Sequence, residues 1–427
     1  MPGASAPHGT GVPVLDWYRS LDGGGRRTFW ACFGGYSLDA MDVQLFSFAM
    51  PALIGLWGLS NTDAGVLASA TLISSAIGGW GAGVLADRIG RVRTLQITIL
   101  WFAVFTFLSG LTSNFEQLLV TRSLQGLGFG GEWAAGSVLI GEVISGRHRG
   151  KAVGIVQAGW GVGWGAAALL STIFFLFLPE QIAWRLLFLV GIVPAFGAFL
   201  VRRLVSESPL YLRSRQRGRG RSAALEIFAR PYLSTTIRGC MLALGIHGGY
   251  YAMSTWLPTY LRTERHLSVL STGGYLGVII VGSLAGYVTA AYLNDWWGRR
   301  RTFLLYALAS LGIAFSYTTL PISDRAMLVL GFPLGFFASG IYSGLGPLFT
   351  ELYPTHVRGS GQGFCFNFGR GIAALFPILV GTLSSRLGLG TAVGAFATLA
   401  YGLALVAVLM LPETRGKELE PGDPEPA

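Results

Sequence analysis

The chain has 427 residues, of which 52% are hydrophobic and only 12% charged, with a mean hydropathy of +0.54. Soluble domains carry about 25% charged residues, so this composition excludes a soluble globular domain. The net charge of +10 does not mark a nucleic-acid binder, because the arginines sit in short loops between apolar runs.

The apolar residues arrive in blocks of about twenty, the length of a membrane-crossing helix. Strands of a closed barrel would alternate and span in about ten residues. The expected fold is an all-α polytopic membrane protein. Residues 1–27 form a polar N-terminal tail, and the first apolar run is too long for a cleaved signal peptide. Spans are expected at 28–56, 64–86, 94–112, 116–141, 152–177 and 183–205. A basic connector over 206–234 carries Arg213, Arg215, Arg217, Arg219 and Arg221. Six more spans follow at 236–260, 270–294, 302–320, 326–350, 360–383 and 391–411.

This divides the chain into an N-terminal six-helix bundle (28–205), the connector, a C-terminal six-helix bundle (235–412) and a tail (413–427). Arginine-rich loops follow spans 2, 4, 6, 8 and 10, whereas Ser60 to Asp63, Ser113 to Glu116 and Pro179 to Gln181 hold few cations. Arg262 and Arg265 are exceptions on that poorer side. Both termini and the connector are therefore expected in the cytoplasm, with the spans in the cell (inner) membrane. Cys32, Cys240 and Cys365 lie in apolar runs without metal or disulfide spacing and read as small buried hydrophobes. No cofactor is expected beyond protons as a coupling ion.

Charged groups inside the spans carry the functional signal, since each costs at least ~2.5 kcal/mol at the bilayer centre. Asp39 and Asp42 are three residues apart on one face of span 1. Arg122 lies in the outer half of span 4, at the depth expected of a proton-gated partner for Asp42, while a permanent ion pair is the structural alternative. Glu132 sits three turns further in and reads either as a second proton site or as a backbone-bonded acid. Arg370 in span 11 has no acid near it in the second half, so a substrate carboxylate suits it, or else a partner from the first half. His247 stands in the flexible setting Gly248-Gly249-Tyr250-Tyr251, and Gln157, Trp160, Trp164, Tyr342 and Asn367 could line the cavity.

The two halves repeat. Asp87-Arg88-Ile89-Gly90-Arg91 recurs as Asp295-Trp296-Trp297-Gly298-Arg299, offset by 208 residues. Glu142 with Arg149-Gly150 recurs as Glu351 with Arg358-Gly359 at an offset of 209. Ser206-Glu207-Ser208-Pro209 is echoed loosely by Pro412-Glu413-Thr414-Arg415. A six-span unit enters from the same side both times, which gives a pseudo-two-fold axis along the membrane normal and halves able to rock about a site between them.

The Gly83-to-Arg93 loop resembles the signature between spans 2 and 3 of the major facilitator superfamily. Arg122-Ser123-Leu124-Gln125-Gly126-Leu127-Gly128, Glu351-Leu352-Tyr353-Pro354-Thr355-His356-Val357-Arg358-Gly359 and Pro412-Glu413-Thr414-Arg415-Gly416 are similar to further family motifs. Ala291 and Trp296 depart from the loop pattern, which predicts a weaker latch in the second half. Asp39-Ala40-Met41-Asp42 resembles the paired-aspartate motif of proton symporters for organic acids, and Gly130-Gly131-Glu132-Trp133 resembles the sialate and lactate group. Span 5 lacks the Gly-Pro pair typical of drug exporters in the family.

The resemblance implies proton-coupled import of a small organic anion by a monomer. Asp39, Asp42, Arg122 and Glu132 would handle the proton. Arg370, His247, Gln157, Tyr250, Tyr251, Tyr342 and Asn367 would bind substrate. Asp87, Arg88, Arg91, Glu142, Arg149, Asp295, Arg299, Glu351 and Arg358 would form a cytoplasmic gate. The competing expectation is a facilitator or exchanger of a neutral solute such as a sugar, with the acids structural. No nucleophile–base set or phosphate loop suggests an enzyme.

Overall fold

The structure is a computed structural model that describes residues 16–19, 21–143, 149–197, 205, 207, 226–353 and 355–415. The N-terminal half contains α1 (Gly23–Trp57), α2 (Asn61–Ile89), α3 (Arg91–Ser109), α4 (Phe115–Val143), α5 (Arg149–Phe177) and α6 (Glu180–Val190). The C-terminal half contains α7 (Arg230–Thr263), α8 (Val269–Trp296), α9 (Arg299–Thr319), α10a (Asp324–Gly340), α10b (Leu345–Leu352), α11a (Thr355–Ala373), α11b (Phe376–Leu387) and α12 (Leu389–Met410). Ten segments among the described residues are long and apolar enough to cross a bilayer. The 29-residue α4 and the 34-residue α7 lie among them, and their polar side chains keep them out of that set.

The helix starts follow from short polar caps. Asp22 accepts from the Gly25 N–H at 2.7 Å, Ser60 and Asp63 form a reciprocal capping box, and Ser268 and Ser323 cap α8 and α10a. The first helix begins at Gly23, five residues earlier than the apolar run suggests, because Asp22 supplies a cap there. Ahead of it, Trp17 is buried and packs edge-on against Phe29, with ring centroids 5.3 Å apart.

Each half is held by the same device. In α2 and α4, a β-carbon on Gly78, Gly126 or Gly130 would fall 2.2 Å or less from a carbonyl oxygen of the facing helix. In α8 and α10a, Gly282, Gly286 and Gly335 meet facing carbonyls in the same way. Small residues let backbones approach where lipid offers no hydrophobic driving force. The glycines of α5 alternate in use. Gly159 and Gly163 abut α1 at Ser37, while Gly161 and Gly165 abut Leu284 and Ile280 of α8. The halves thus meet along α5–α8 and along α2–α11. Outside, Trp80, Phe177, Phe196, Val329 and Leu399 are exposed, an apolar surface suited to lipid.

Replacing Gly130 by Val should disrupt α2–α4 packing, because its β-carbon would stand 1.7 Å from the Ser75 carbonyl oxygen. Overpacking of this kind costs at least about 1–3 kcal/mol. Gly34→Ala, with nothing within 4 Å, should be neutral. Thermal unfolding in detergent, followed by size-exclusion recovery, compares the two.

Candidate functional site

Asp39, Asp42, Arg122, Glu132, His247 and Arg370 are each at most 2% exposed. They fall into two groups. The first joins α1, α3 and α4. Thr106 Oγ1 donates to Asp42 Oδ2 at 2.6 Å, and Gln125 Nε2 donates to the same oxygen. Arg122 Nη1 in turn donates to Gln125 Oε1 at 2.5 Å. The expected direct Asp42–Arg122 pair is therefore corrected. Gln125, one turn along α4 from Arg122, stands between them and carries the contact as an amide bridge. The Arg122 guanidinium lies 4.6 Å from the centre of the Phe46 ring, a cation–π contact that occupies its face.

The second group straddles the two halves. The Arg370 guanidinium of α11a lies between Phe129 of α4, at 5.0 Å, and Phe366 of its own helix, at 5.1 Å. Asp39 and Glu132, both from the N-terminal half, are within electrostatic range of it. Its acidic neighbours therefore come from the first half, the alternative that the sequence left open beside a substrate carboxylate. The contact remains incomplete. Among the described residues, both Asp39 oxygens, Glu132 Oε2 and Arg370 Nε and Nη1 have no hydrogen-bond partner. Tyr251 also lies within electrostatic range of Arg370.

His247 closes this group on the α7 side. Its Nδ1 lies 2.8 Å from the Ala243 carbonyl, which can only accept, so Nδ1 bears the hydrogen and Nε2 is left as an acceptor without a partner. The ring stands edge-on to Tyr342 and Phe366, at 5.2 and 4.6 Å. The Tyr342 hydroxyl also lacks a partner. Tyr250 accepts from Trp160 Nε1 at 2.5 Å across the interface, and Trp160 packs on Tyr36. Gln157 is buried in α5, three residues from Trp160. Asn367 faces Gly79 of α2 across the seam, about 60° around the helix from Arg370. Its amide donates to the Gly363 carbonyl at 3.0 Å, and its Oδ1 has no hydrogen-bond partner among the described residues.

Two helix breaks adjoin these residues. Pro347 cannot donate back to Ser343, and α10 passes through a tight turn over Ile341–Gly344 that includes Tyr342. Pro377 cannot donate back to Ala373, and α11 breaks there, four residues after Arg370.

On the face that carries the chain termini, the predicted gate residues Asp295, Arg299 and Glu351 come together. Arg299 makes a bidentate contact to Glu351 at 2.8 and 3.1 Å and an ion pair to Asp295 at 3.0 Å. Thr414 adds a hydrogen bond to Glu351 at 2.5 Å. Among the described residues these contacts join elements of the C-terminal half. Arg91 donates to the Ala86 carbonyl at 3.1 Å. The expectations for the side chains of Asp87, Arg88, Glu142, Arg149 and Arg358 lie outside the described residues.

The loose echo around Glu207 and Glu413 proves structural. Glu207 accepts from the backbone N–H groups of Arg91 and Val92, and Glu413 from those of Arg299 and Arg300. Each carboxylate caps the corresponding helix start, which follows a glycine at φ 106° (Gly90) or 107° (Gly298).

Among the described residues the two halves touch on both sides of the central groups. Towards the opposite face, Asn61 donates to Ser384 at 2.9 Å and the Ile378 N–H donates to Ser69 at 3.2 Å. Towards the terminal face, Gly154 abuts Ala291, Gly79 abuts Asn367, and the Lys151 ammonium lies 5.4 Å from the Tyr292 ring centre. A cavity of about 20 Å³ remains beside Gln44, Ser47, Arg122, Trp160 and Tyr251. That is room for about one water.

Two like six-helix halves closed around buried charges at their interface define a secondary transporter. The chain belongs to the major facilitator superfamily. The profile described as "Major Facilitator Superfamily" matches residues 32–325 and 280–426. The sequence is 42% identical over 407 residues to the "Probable 4-methylmuconolactone transporter" of Cupriavidus pinatubonensis, covering 95% of each chain. It is 32% identical over 364 residues to the "Cis,cis-muconate transport protein" of Acinetobacter baylyi, covering 83% of this chain and 86% of that one. The fold matches the proton:xylose symporter XylE bound to 6-bromo-6-deoxy-D-glucose with a TM-score of 0.72, over 93% of this chain and 98% of that one, at 20% identity. The protein is therefore an integral membrane transport protein and not an enzyme.

Burial raises the Glu413 carboxyl, but backbone N–H donors from Arg415, Arg299, Arg300 and Thr414 outweigh it and hold the group below its ordinary value of 4.5. A lowered carboxyl stabilises the fold above the ordinary value, and that contribution is lost as pH falls through the lowered one. Glu413→Gln should cost about 1 kcal/mol, typical of a lost cap, at neutral pH. The deficit should vanish in strong acid. Unfolding midpoints of the two proteins across pH 3–8 check this, on a scale where about 1 kcal/mol is a shift of a few degrees.

Proposed function

We propose that the protein imports a small organic anion together with at least one proton, by alternating access. The observation that carries this reading is the incomplete charge set at the interface: Arg370 faces Asp39 and Glu132 across the seam, and none of the three is saturated. A carboxylate entering between the halves can take Arg370 by a two-point contact. The acids then lose their counter-charge, and a proton on one of them restores neutrality. Movement of the anion with a proton offsets the work of moving a negative charge against the membrane potential, ~2.3 kcal/mol per 100 mV.

The two relatives are named for a muconolactone and a muconate, which are small unsaturated carboxylic acids. That chemistry suits a site built from one guanidinium, aromatic rings and a few polar atoms. His247 Nε2 and the Tyr342 hydroxyl supply an acceptor and a donor for the remainder of the substrate. The Tyr251 ring lies 5.7 Å from His247 and the Tyr250 ring 5.4 Å from Tyr342, and Gln157 is assigned to the same cavity from α5. Asp42, Gln125, Thr106 and Arg122 form a chain of polar groups along which a proton could pass towards the opposite face. Bundles 28–205 and 235–412 rock about the site. The arginine-rich loops support placing the termini and the connector on the cytoplasmic side of the cell membrane, with the monomer as the working unit.

Uptake of 4-methylmuconolactone and cis,cis-muconate into proteoliposomes, with and without an inward proton gradient, tests the reading. The gradient should drive accumulation. Arg370→Ala should raise KM at least about tenfold, as expected for loss of a charge-assisted contact. Accumulation against a gradient should fail in at least one of Asp39→Asn, Asp42→Asn and Glu132→Gln while downhill exchange persists. Gradient-independent uptake of a neutral sugar, or full accumulation in all three acid variants, overturns it.

A further inference from the structure

A second cation lies on the seam, well away from Arg370. Arg262, near the end of α7, pairs with Glu180, the first residue of α6, at 2.8 Å. This ion pair joins the two halves at the face opposite the termini. The guanidinium also lies 5.6 Å from the centre of the Phe175 ring of α5. Beside it is a cavity of about 20 Å³, lined by Phe48, Ser171, Thr172, Phe175, Arg262 and Thr272 among others. These residues come from both halves, so the cavity widens when the seam parts. Thr272 is 4% exposed, and its hydroxyl has no hydrogen-bond partner.

A guanidinium, a free hydroxyl and an apolar wall are the elements of a carboxylate site, and in this state the protein's own Glu180 carboxylate holds the guanidinium while the cavity and the Thr272 hydroxyl beside it stay open. Glu180 is the more exposed partner, 45% against 22% for Arg262. It also stands in the first turn of α6, where a negative charge is stabilised by the helix whether or not Arg262 is near. Glu180 can therefore leave Arg262 without becoming a stranded charge.

Building on the organic-anion reading, we propose that Arg262 with Thr272 is a docking station for the carboxylate of the incoming substrate. The anion displaces Glu180 from Arg262, and that exchange removes the ion pair across the seam. Substrate arrival and opening of this face are then one event. A small monocarboxylate or dicarboxylate fits the station, and a neutral solute does not compete for it.

A plain structural latch and a docking station differ in the sign of two substitutions. If the ion pair is only a latch, Arg262→Gln and Glu180→Gln both loosen the same contact and shift transport in the same direction. At a docking station, Arg262→Gln removes the ligand and Glu180→Gln removes its competitor. Initial uptake of labelled 4-methylmuconolactone by intact cells expressing the protein in a host without its own uptake reads this directly. The expected result is a KM raised roughly fivefold by Arg262→Gln, as for a part-exposed charge contact, and lowered by Glu180→Gln. Thr272→Val keeps the ion pair and should raise KM with kcat unchanged, so it tests the station even if Arg262→Gln fails to reach the membrane. Shifts of the same sign in the two charge variants, or an unchanged KM in Thr272→Val, overturn the station while wild-type anion uptake stays intact. Absence of saturable anion uptake in the wild type overturns the organic-anion reading and the station with it.

Discussion

The buried guanidinium of Arg370 is the constraint around which the rest of the molecule is arranged. A cation in the middle of a bilayer is costly, and the protein offsets that cost only in part. Two phenyl rings cover its faces, each contact contributing about 0.5–2 kcal/mol. Tyr251 lies close by, and two acids stand opposite without closing an ion pair. A fully satisfied pair would lock the halves together, because breaking a buried pair strands a charge at about 3–5 kcal/mol. The set here stays unsatisfied, with two guanidinium nitrogens and three carboxylate oxygens left without a hydrogen-bond partner among the described residues.

Packing within the halves contrasts with packing between them. Inside each half, α2 against α4 and α8 against α10a place glycines on facing carbonyls, so there is no slack and no soft side chain to yield. Between the halves, α5 and α8 meet through glycine and aliphatic side chains, whereas α2 and α11 combine hydrogen bonds such as Asn61–Ser384 with close approaches at Gly65 and Gly381, where a β-carbon would stand 2.7 and 2.3 Å from facing carbonyl oxygens. The side-chain contacts along the seam can be broken and remade one at a time. Rigid bodies with a separable seam are what rocking about a central site requires. The acidic caps at Glu207 and Glu413 add to the rigidity by fixing the first turns of α3 and α9 through backbone donors.

What the sequence displayed and what it concealed divide along a physical line. Charges in apolar runs are conspicuous because of their cost, so Asp39, Asp42, Glu132 and Arg370 could be singled out without a structure. The offset of 208 between Gly90-Arg91 and Gly298-Arg299 reappears as the same positive-φ glycine and the same capped helix start. Gln125 and Thr106 were invisible because neither is unusual in a membrane helix, and only the rotation of α3 and α4 aims them at Asp42. Depth along a helix placed Arg122 level with Asp42 but said nothing of the amide one turn away that occupies the space between. Phe129 and Phe366 were lost among aromatics that make up 13% of the chain.

The halves repeat in topology and packing but not in chemistry, and that asymmetry bears on which part moves. The acids belong to α1 and α4, and α1 remains a single 35-residue helix even with Pro51 inside it. The cation and the His247–Tyr342 pair belong to the other half, where α10 and α11 break beside Tyr342 and Arg370. Non-helical backbone at membrane depth is tolerated only where protein or a water-filled cavity surrounds it, and transporters place such breaks at their binding sites. A broken helix can shift its inner segment while its outer segment stays packed. The C-terminal half therefore holds both the buried guanidinium and the backbone able to adjust around it. The N-terminal half presents its acids from continuous helices at fixed positions. The cation and the adjustable backbone thus reside on one side of the seam, and the acids that face them on the other.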